Sequence, residues 1–214
     1  MKLISNSGRE RALDELKSWP TEGSTIDVMS PSFSVHAFDA VADQLERAGK
    51  CRMILGHSDV VADGLFGGAE ETALRARLKG RWLAGRASNW LKKAVEVRHT
   101  KAVPPQSLIV GGPSLGRKAL LGSCSFSTEG LGITPGAEFG IVQVAENVHE
   151  AETFGAWFET HWNGLGAGSH PGGQLVELLD EAASQRPPSL LYFQVLYQLF
   201  KDLGDELDEE RIIK

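Results

Sequence analysis

The feature that most constrains this chain is a strand–helix–strand pattern beginning at Thr25. In TIDVMSP, Ile26 and Val28 alternate with polar neighbours, and Ser-Pro ends the run. In SVHAFDAVADQLERAG, Val35, Phe38, Val41 and Leu45 recur at helical spacing, with Gly49 as a stop. CRMILG then supplies a second short apolar strand. Strands joined through a helix run in the same direction, so this unit predicts a parallel sheet and an α/β fold.

The rest of the chain extends that pattern. GRERALDELKS reads as a short amphipathic helix with Leu13 and Leu16 on one side. HSDVVADGLFGG reads as a loop, and a long helical stretch runs from Glu70 to Ala94, with Ala76, Leu83, Ala87, Trp90, Leu91 and Ala94 on one face. VEVR, QSLIV, KALLGS and EFGIVQV follow as strands separated by Pro- and Gly-rich turns. AENVHEAETFGAWFETHWNGL returns to helix, with Phe154, Trp157, Phe158 and Trp162 as its expected buried side. GLGAGSHPGG reads as a flexible joint, followed by the helices QLVELLDEAAS and SLLYFQVLYQLFKDLG. The expected architecture is a mixed-sheet α/β/α sandwich over residues 1–164, with a C-terminal helical extension over 165–214.

Composition narrows the function classes. No apolar run approaches the roughly 18–20 residues a membrane helix needs, and the N-terminus lacks a signal-peptide core, so a cytoplasmic protein is expected. Cys51 and Cys124 lie far apart without CxxC spacing, as unpaired core thiols would. His149, His161 and His170 have no HxxxH or HExxH frame, so no metal and no cofactor is expected. No serine is framed as GxSxG. His36 reads as a partly buried helix residue, and His57 with Asp59 as a loop cap at a strand's carboxyl end. Asp27 is either an inward polar group or a member of the wet face.

The net charge of −6 argues against a general nucleic-acid binder, but its distribution is uneven. From Arg75 to Lys101 there are nine basic residues and a single acid, Glu96, whereas the tail from Glu177 onward is strongly acidic, with GDELDEER close to its end. Arg75, Lys79, Arg86 and Lys93 fall within about 40° on a helical wheel, either as a solvated face or as an anion-facing stripe. Trp82 and Trp90 are interleaved with them, Trp82 as the exposed one and Trp90 as core.

Near the middle lies LLGSCSFSTEGLG, residues 120–132, an apolar strand ending in Gly-Ser. Backbone N–H groups and a hydroxyl at such a turn can face an anion. Gly122-Ser123-Cys124-Ser125, followed by Phe-Ser, Gly-Leu and then Glu138 heading another strand, resembles the second half of the phospholipase D superfamily motif. There, His-x-Lys and a spaced Asp precede Gly-Ser-x-Asn. The resemblance implies one lobe of that fold and metal-independent phosphodiester chemistry. One imidazole attacks phosphorus, a second protonates the leaving oxygen, and a homodimer completes the site.

His99-Thr100-Lys101 has the His-x-Lys letters, but Pro104-Pro105 separates it from the next strand. Aligning that strand on SLIV places Pro105, Ser107 and Gly112 at the histidine, lysine and aspartate positions, and Ser125 at the asparagine. The reading that follows is a catalytically degenerate lobe that binds DNA or RNA or mediates assembly. In it Arg75, Lys79, Arg86 and Lys93 contact phosphates, Trp82 stacks, and Ser123 and Ser125 line a remnant pocket. The alternative is an active phosphodiesterase or nuclease using His99, Lys101, Ser123 and Ser125 at a homodimer interface. A third reading is a purely structural docking unit. The chain also resembles domains that precede a superfamily-two, Swi/Snf-like helicase engine. That likeness, and the absence of a GxxxxGK[ST] loop, implies a helicase region downstream of residue 214.

Overall fold

A computed structural model describes residues 1–8, 10–19, 22–56, 74–113, 116–135, 140–165 and 173–184, with the side chains of the helix that opens at Leu74 described from Gly80 onward. The elements are β1 (Lys2–Ile4), α1 (Ala12–Lys17), β2 (Thr25–Ser30), α2 (Val35–Arg47), β3 (Lys50–Leu55) and α3 (Leu74–Ala94). They continue with β4 (Val95–His99), β5 (Ser107–Gly112), β6 (Lys118–Gly122), β7 (Val142–Val144), α4 (Val148–Gly164) and α5 (Gly173–Ser184).

Seven strands form one sheet in the order β1-β7-β6-β5-β2-β3-β4. β2, β3 and β4 are parallel, and β5, β6, β7 and β1 join antiparallel. The strand–helix–strand unit thus builds the parallel half. In the other half only β5 and β6 form a short hairpin, which pairs antiparallel neighbours; β7 joins β6 after a long connection and β1 joins β7 from the start of the chain.

Side chains alternate across the sheet, so each strand feeds two layers. On one face Val28, Met53, Val97 and Ile109 pack with Leu13 of α1, Phe38 of α2, Leu83 of α3 and Leu179 of α5. On the other, Met29, Ile54, Leu108, Val110 and Ala119 meet Ala151, Phe158 and Trp162 of α4. The expected α/β/α sandwich is therefore the fold. Val35, Phe38, Val41 and Leu45 are all buried. Burying one side chain of the size of Phe38 contributes roughly 2–3 kcal/mol. Ser34 caps α2, its hydroxyl accepting from the His36 N–H.

Several expectations differ from what forms. β1 is a strand that local pattern does not announce, because a single side chain, Ile4, is buried and pairing with β7 makes the strand. Trp157 is 43% exposed and stacks on His161 with centroids 3.7 Å apart. Phe154, Phe158 and Trp162 repeat every four residues and take the buried side, which leaves Trp157 on its shoulder. α5, expected as part of the extension, lies in the compact unit Met1–Ala183 and contributes Leu175 and Leu179 to the core. His57, Asp59, Glu138, His170, most of the glycine-rich joint, the helix from Ser189 and the acidic tail lie outside the described residues.

Candidate functional site

Sheet register places the motif residues. Ser30 pairs with Leu55 and Leu55 with His99, while Ser107 pairs with Gly122 and Gly122 with Val142. Because Met29 pairs with Leu108, Ser30 and Ser107 meet one step further on. All these residues share one rung at the carboxyl end of the parallel strands, where α/β sheets hold ligands. Sharing a rung is not proximity, however. From β4 to β6 there are four strand spacings, about 19 Å at roughly 4.8 Å each.

His99 sits at the outer end of that rung. Its Nδ1 lies 3.1 Å from the Gly56 carbonyl oxygen, and its Nε2 is buried without a hydrogen-bond partner among the described residues. Neither His99 nor Lys101 lines the recess that holds Ser123 and Ser125. One chain therefore does not bring the four candidate catalytic residues together.

The recess itself encloses about 740 Å³, and Pro105, Ser107, Ser123 and Ser125 all line it. The positions aligned with the phospholipase D histidine, lysine and asparagine thus converge in space, bearing Pro, Ser and Ser. Gly112, at the aspartate position, lies at the far end of β5, paired with Thr25. Glycine is required at Gly122, where φ is +123° and a Cβ would strike the Ile141 carbonyl oxygen. A Cβ at Gly130 would likewise collide with the Ser125 backbone.

A residue that the sequence pattern does not mark holds this loop closed. Asn6 adopts φ 54°, a left-handed conformation, and its Nδ2 donates to the carbonyl oxygens of Gly130 at 2.7 Å and Ser123 at 3.3 Å. Its Oδ1 accepts from the Ala12 N–H at 2.8 Å, serving one of the free donors at the start of α1. Ser30 adds a second tie: its hydroxyl accepts from the Phe126 N–H at 2.8 Å and donates to the Ser32 carbonyl. Asn-Ser-Gly is a turn signal, but no local pattern shows that its side chain reaches a loop more than a hundred residues away.

The basic stripe has a different fate from the one expected. The side chains of Arg75 and Lys79 lie outside the described residues. Arg86 forms a two-pronged ion pair with Glu46 of α2, at 2.9 and 2.8 Å, with Asp39 and Asp43 at 3.9 and 4.0 Å. Its guanidinium also lies 5.7 Å from the Trp82 ring centre and 5.8 Å from that of Phe38. Lys92 pairs with Asp180 of α5, and Arg98 with the carbonyls of Trp162 and Leu165 at the end of α4. Lys93 is exposed and has no ion pair among the described residues. Three of the six basic residues of the run whose side chains are described, Arg86, Lys92 and Arg98, are therefore engaged by groups of the fold itself.

What remains is a groove of about 740 Å³ on α3, lined among others by Arg81, Trp82, Arg86, Asn89 and Lys93, with Glu46 on its α2 wall. Trp82 is 61% exposed, while Trp90 is buried against Phe38. An exposed indole beside a guanidinium and an ammonium can stack on a planar ring and hold an anionic group.

Other ionisable groups serve the fold. Asp27 is the inward polar group, 3% exposed, and it accepts from the Arg52 guanidinium at 2.7 and 2.8 Å. Glu159 completes the cluster, and Arg52 holds its carboxyl below the usual range. Cys51 and Cys124 are free and buried, and burial pushes both thiols up, Cys124 to about 12, so neither presents a thiolate. No group of His, Cys, Asp and Glu able to hold a metal occurs among the described residues, and no described helix is long and apolar enough to cross a membrane.

No family model matches the chain, and no curated protein does. Among solved structures it is similar to TrmBL2, an archaeal chromatin protein whose structure shows a novel mode of DNA binding, with 13% identity and a TM-score of 0.44. The match covers 78% of this chain and 53% of that one, so the chain spans about half of that protein's length. A likeness at this level does not transfer that protein's partner to this chain.

Proposed function

We propose that this chain is a catalytically degenerate phospholipase D-like lobe that binds nucleic acid through the α2–α3 groove. The observation that carries the reading is Trp82, a large indole left in solvent beside Arg81, Arg86 and Lys93. Trp82 stacks on an unpaired base, Lys93 contacts phosphate, and Arg86 does so when its carboxylate partner yields. Arg75 and Lys79 extend the basic run in sequence. Loss of hydrolysis is supported by the Pro and Ser at the nucleophile and lysine positions and by the roughly 19 Å between His99 and the Gly-Ser turn. An assembly role beside a helicase engine belongs to the same proposal and rests on resemblance, with the tail LYQLFKDLGDELDEERIIK, residues 196–214, as the run-in to such an engine.

The test is fluorescence anisotropy of labelled single- and double-stranded oligonucleotides, followed over time with EDTA at low and physiological salt. A stable rise that weakens steeply with salt is expected, with single strands preferred. Trp82→Ala should weaken binding about tenfold or more, the scale of one base–aromatic stack. A flat trace, or equal binding by that variant, removes the proposal. A rise followed by decay restores the active phosphodiesterase and redirects attention to His99.

A further inference from the structure

The recess around Ser123 and Ser125 is left unused by nucleic-acid binding on α3, and its chemistry is the reverse of a phosphate site. Glu129 is the one charged side chain among its described lining residues. A phosphate there would meet a carboxylate with no cation among the described lining residues to offset the repulsion, on top of its desolvation. The lysine position of the phospholipase D pattern is Ser107, which is 1% exposed. The Gly-Ser turn keeps its backbone shape without the charges that would make it an anion site.

What the recess does offer is mixed donors and acceptors on a fixed frame. The side chains of Gln106, Ser123, Gln143 and Glu129 line it without a partner among the described residues. The amides each carry donors and an acceptor, the serine hydroxyl is both, and the carboxylate only accepts. Ile141, 55% exposed, and Pro105 add a hydrocarbon surface beside them. Gly122, Gly130 and the Asn6 ties hold the backbone in place, so little ordering is left for a ligand to bring about.

We infer that this recess binds a small neutral polyhydroxylated molecule, a sugar or cyclic polyol. Adjacent hydroxyls donate to Glu129 and accept from the two glutamine amides, while the ligand's C–H face lies on Ile141 and Pro105. A volume of about 740 Å³ accommodates such a ligand with room for bridging water. A phosphate monoester is disfavoured by Glu129. A simple amine would satisfy the carboxylate but leave the neutral groups with nothing that exploits both their donors and acceptors.

Amide-resolved NMR titration of the full chain tests this, following Gly122, Ser123, Ser125 and Gly130. Glucose, trehalose and myo-inositol are the neutral probes, glucose 6-phosphate and inorganic phosphate the anionic ones, and ethanolamine the cationic one. At least one neutral probe should give saturable shifts confined to these amides, and the anions should not. Glu129→Gln, an exposed change that leaves the fold intact, should weaken that binding about tenfold, as loss of a charge-assisted hydrogen bond does. The same variant should leave oligonucleotide binding unchanged, which separates this site from the groove on α3. Absence of saturable shifts from every neutral probe, tighter binding of phosphate or ethanolamine, or indifference to Glu129→Gln would each overturn the inference.

Discussion

The recess at the Gly-Ser turn and the groove on α3 enclose similar volumes, yet one is shaped by backbone and the other by side chains. In the recess, glycines at Gly122 and Gly130 and the side chain of Asn6 set the walls, and no cation is among the described lining residues. In the groove, a regular helix presents Trp82, Arg86 and Lys93, and the opposing wall carries carboxylates. The motif-like sequence marks a backbone-shaped recess in which Glu129 is the one charged side chain among the described lining residues. The positive charge sits elsewhere, on a helix with no motif at all. Shape held by backbone tolerates little change, whereas chemistry held on a helix surface can be altered without disturbing the fold.

The sharpest test of that contrast uses one glycine from each place. Gly122→Ala imposes a positive φ on a residue with a Cβ and drives that Cβ into the Ile141 carbonyl. A loss of more than about 3 kcal/mol in urea unfolding is expected. Gly85 lies within α3 in the groove, and a Cβ there would meet Ala183 at an ordinary 3.8 Å. Gly85→Ala should stabilise by about 0.5–1 kcal/mol through helix propensity. Similar effects of the two substitutions would erase the distinction between the regions.

Asn6→Ala comes between these in size. It removes four side-chain hydrogen bonds, three to carbonyls of the recess loop and one to the start of α1, and leaves alanine in a left-handed conformation. A loss of about 2–3 kcal/mol is expected, with faster hydrogen exchange at Ser123 and Gly130 and none of that change on α3. Asn6→Gly relieves the backbone conformation but not the lost bonds, so it should recover less than half of the loss. Exchange that quickens equally in both regions would show that the loop and the helix open together.

These residues also show what the sequence makes legible. β2, α2 and β3 are readable because hydrophobic period and punctuation agree within a few residues, and Val35, Phe38, Val41 and Leu45 are buried accordingly. The recess is half legible: Gly-Ser at a strand end marks its backbone, and the alignment on SLIV places Pro105 and Ser107 beside it. The Pro104-Pro105 pair already sets His99 apart from the SLIV strand in sequence, but the distance across the sheet depends on the three strands inserted between β4 and β6, which the letters do not show. Asn6, Arg52 with Asp27 and Glu159, and Arg86 with Glu46 are set by contacts remote in sequence. A wheel drawn on α3 alone shows a basic stripe. The partners that α2 and α5 bring to it are a property of packing.

The smallest expected effect bears on the groove's acidic wall. Glu46 engages Arg86 through two hydrogen bonds at the surface, at 2.9 and 2.8 Å. An exposed pair of this kind contributes about 0–1 kcal/mol to stability, so Glu46→Gln should barely move the unfolding midpoint. Arg86 would keep its contacts with the Phe38 and Trp82 rings, whose centres lie 5.8 and 5.7 Å from the guanidinium. With one carboxylate neutralised, an oligonucleotide phosphate competes for that edge against Asp39 and Asp43 only, the more distant partners at 3.9 and 4.0 Å. Affinity for single-stranded oligonucleotide should therefore rise about two- to threefold at low salt, and the gain should shrink as salt screens it. A fall in affinity would mean that Glu46 positions Arg86 for binding rather than masking it. No change at any salt would place the contact surface off Arg86 altogether, leaving Trp82 and Lys93 to account for binding by themselves.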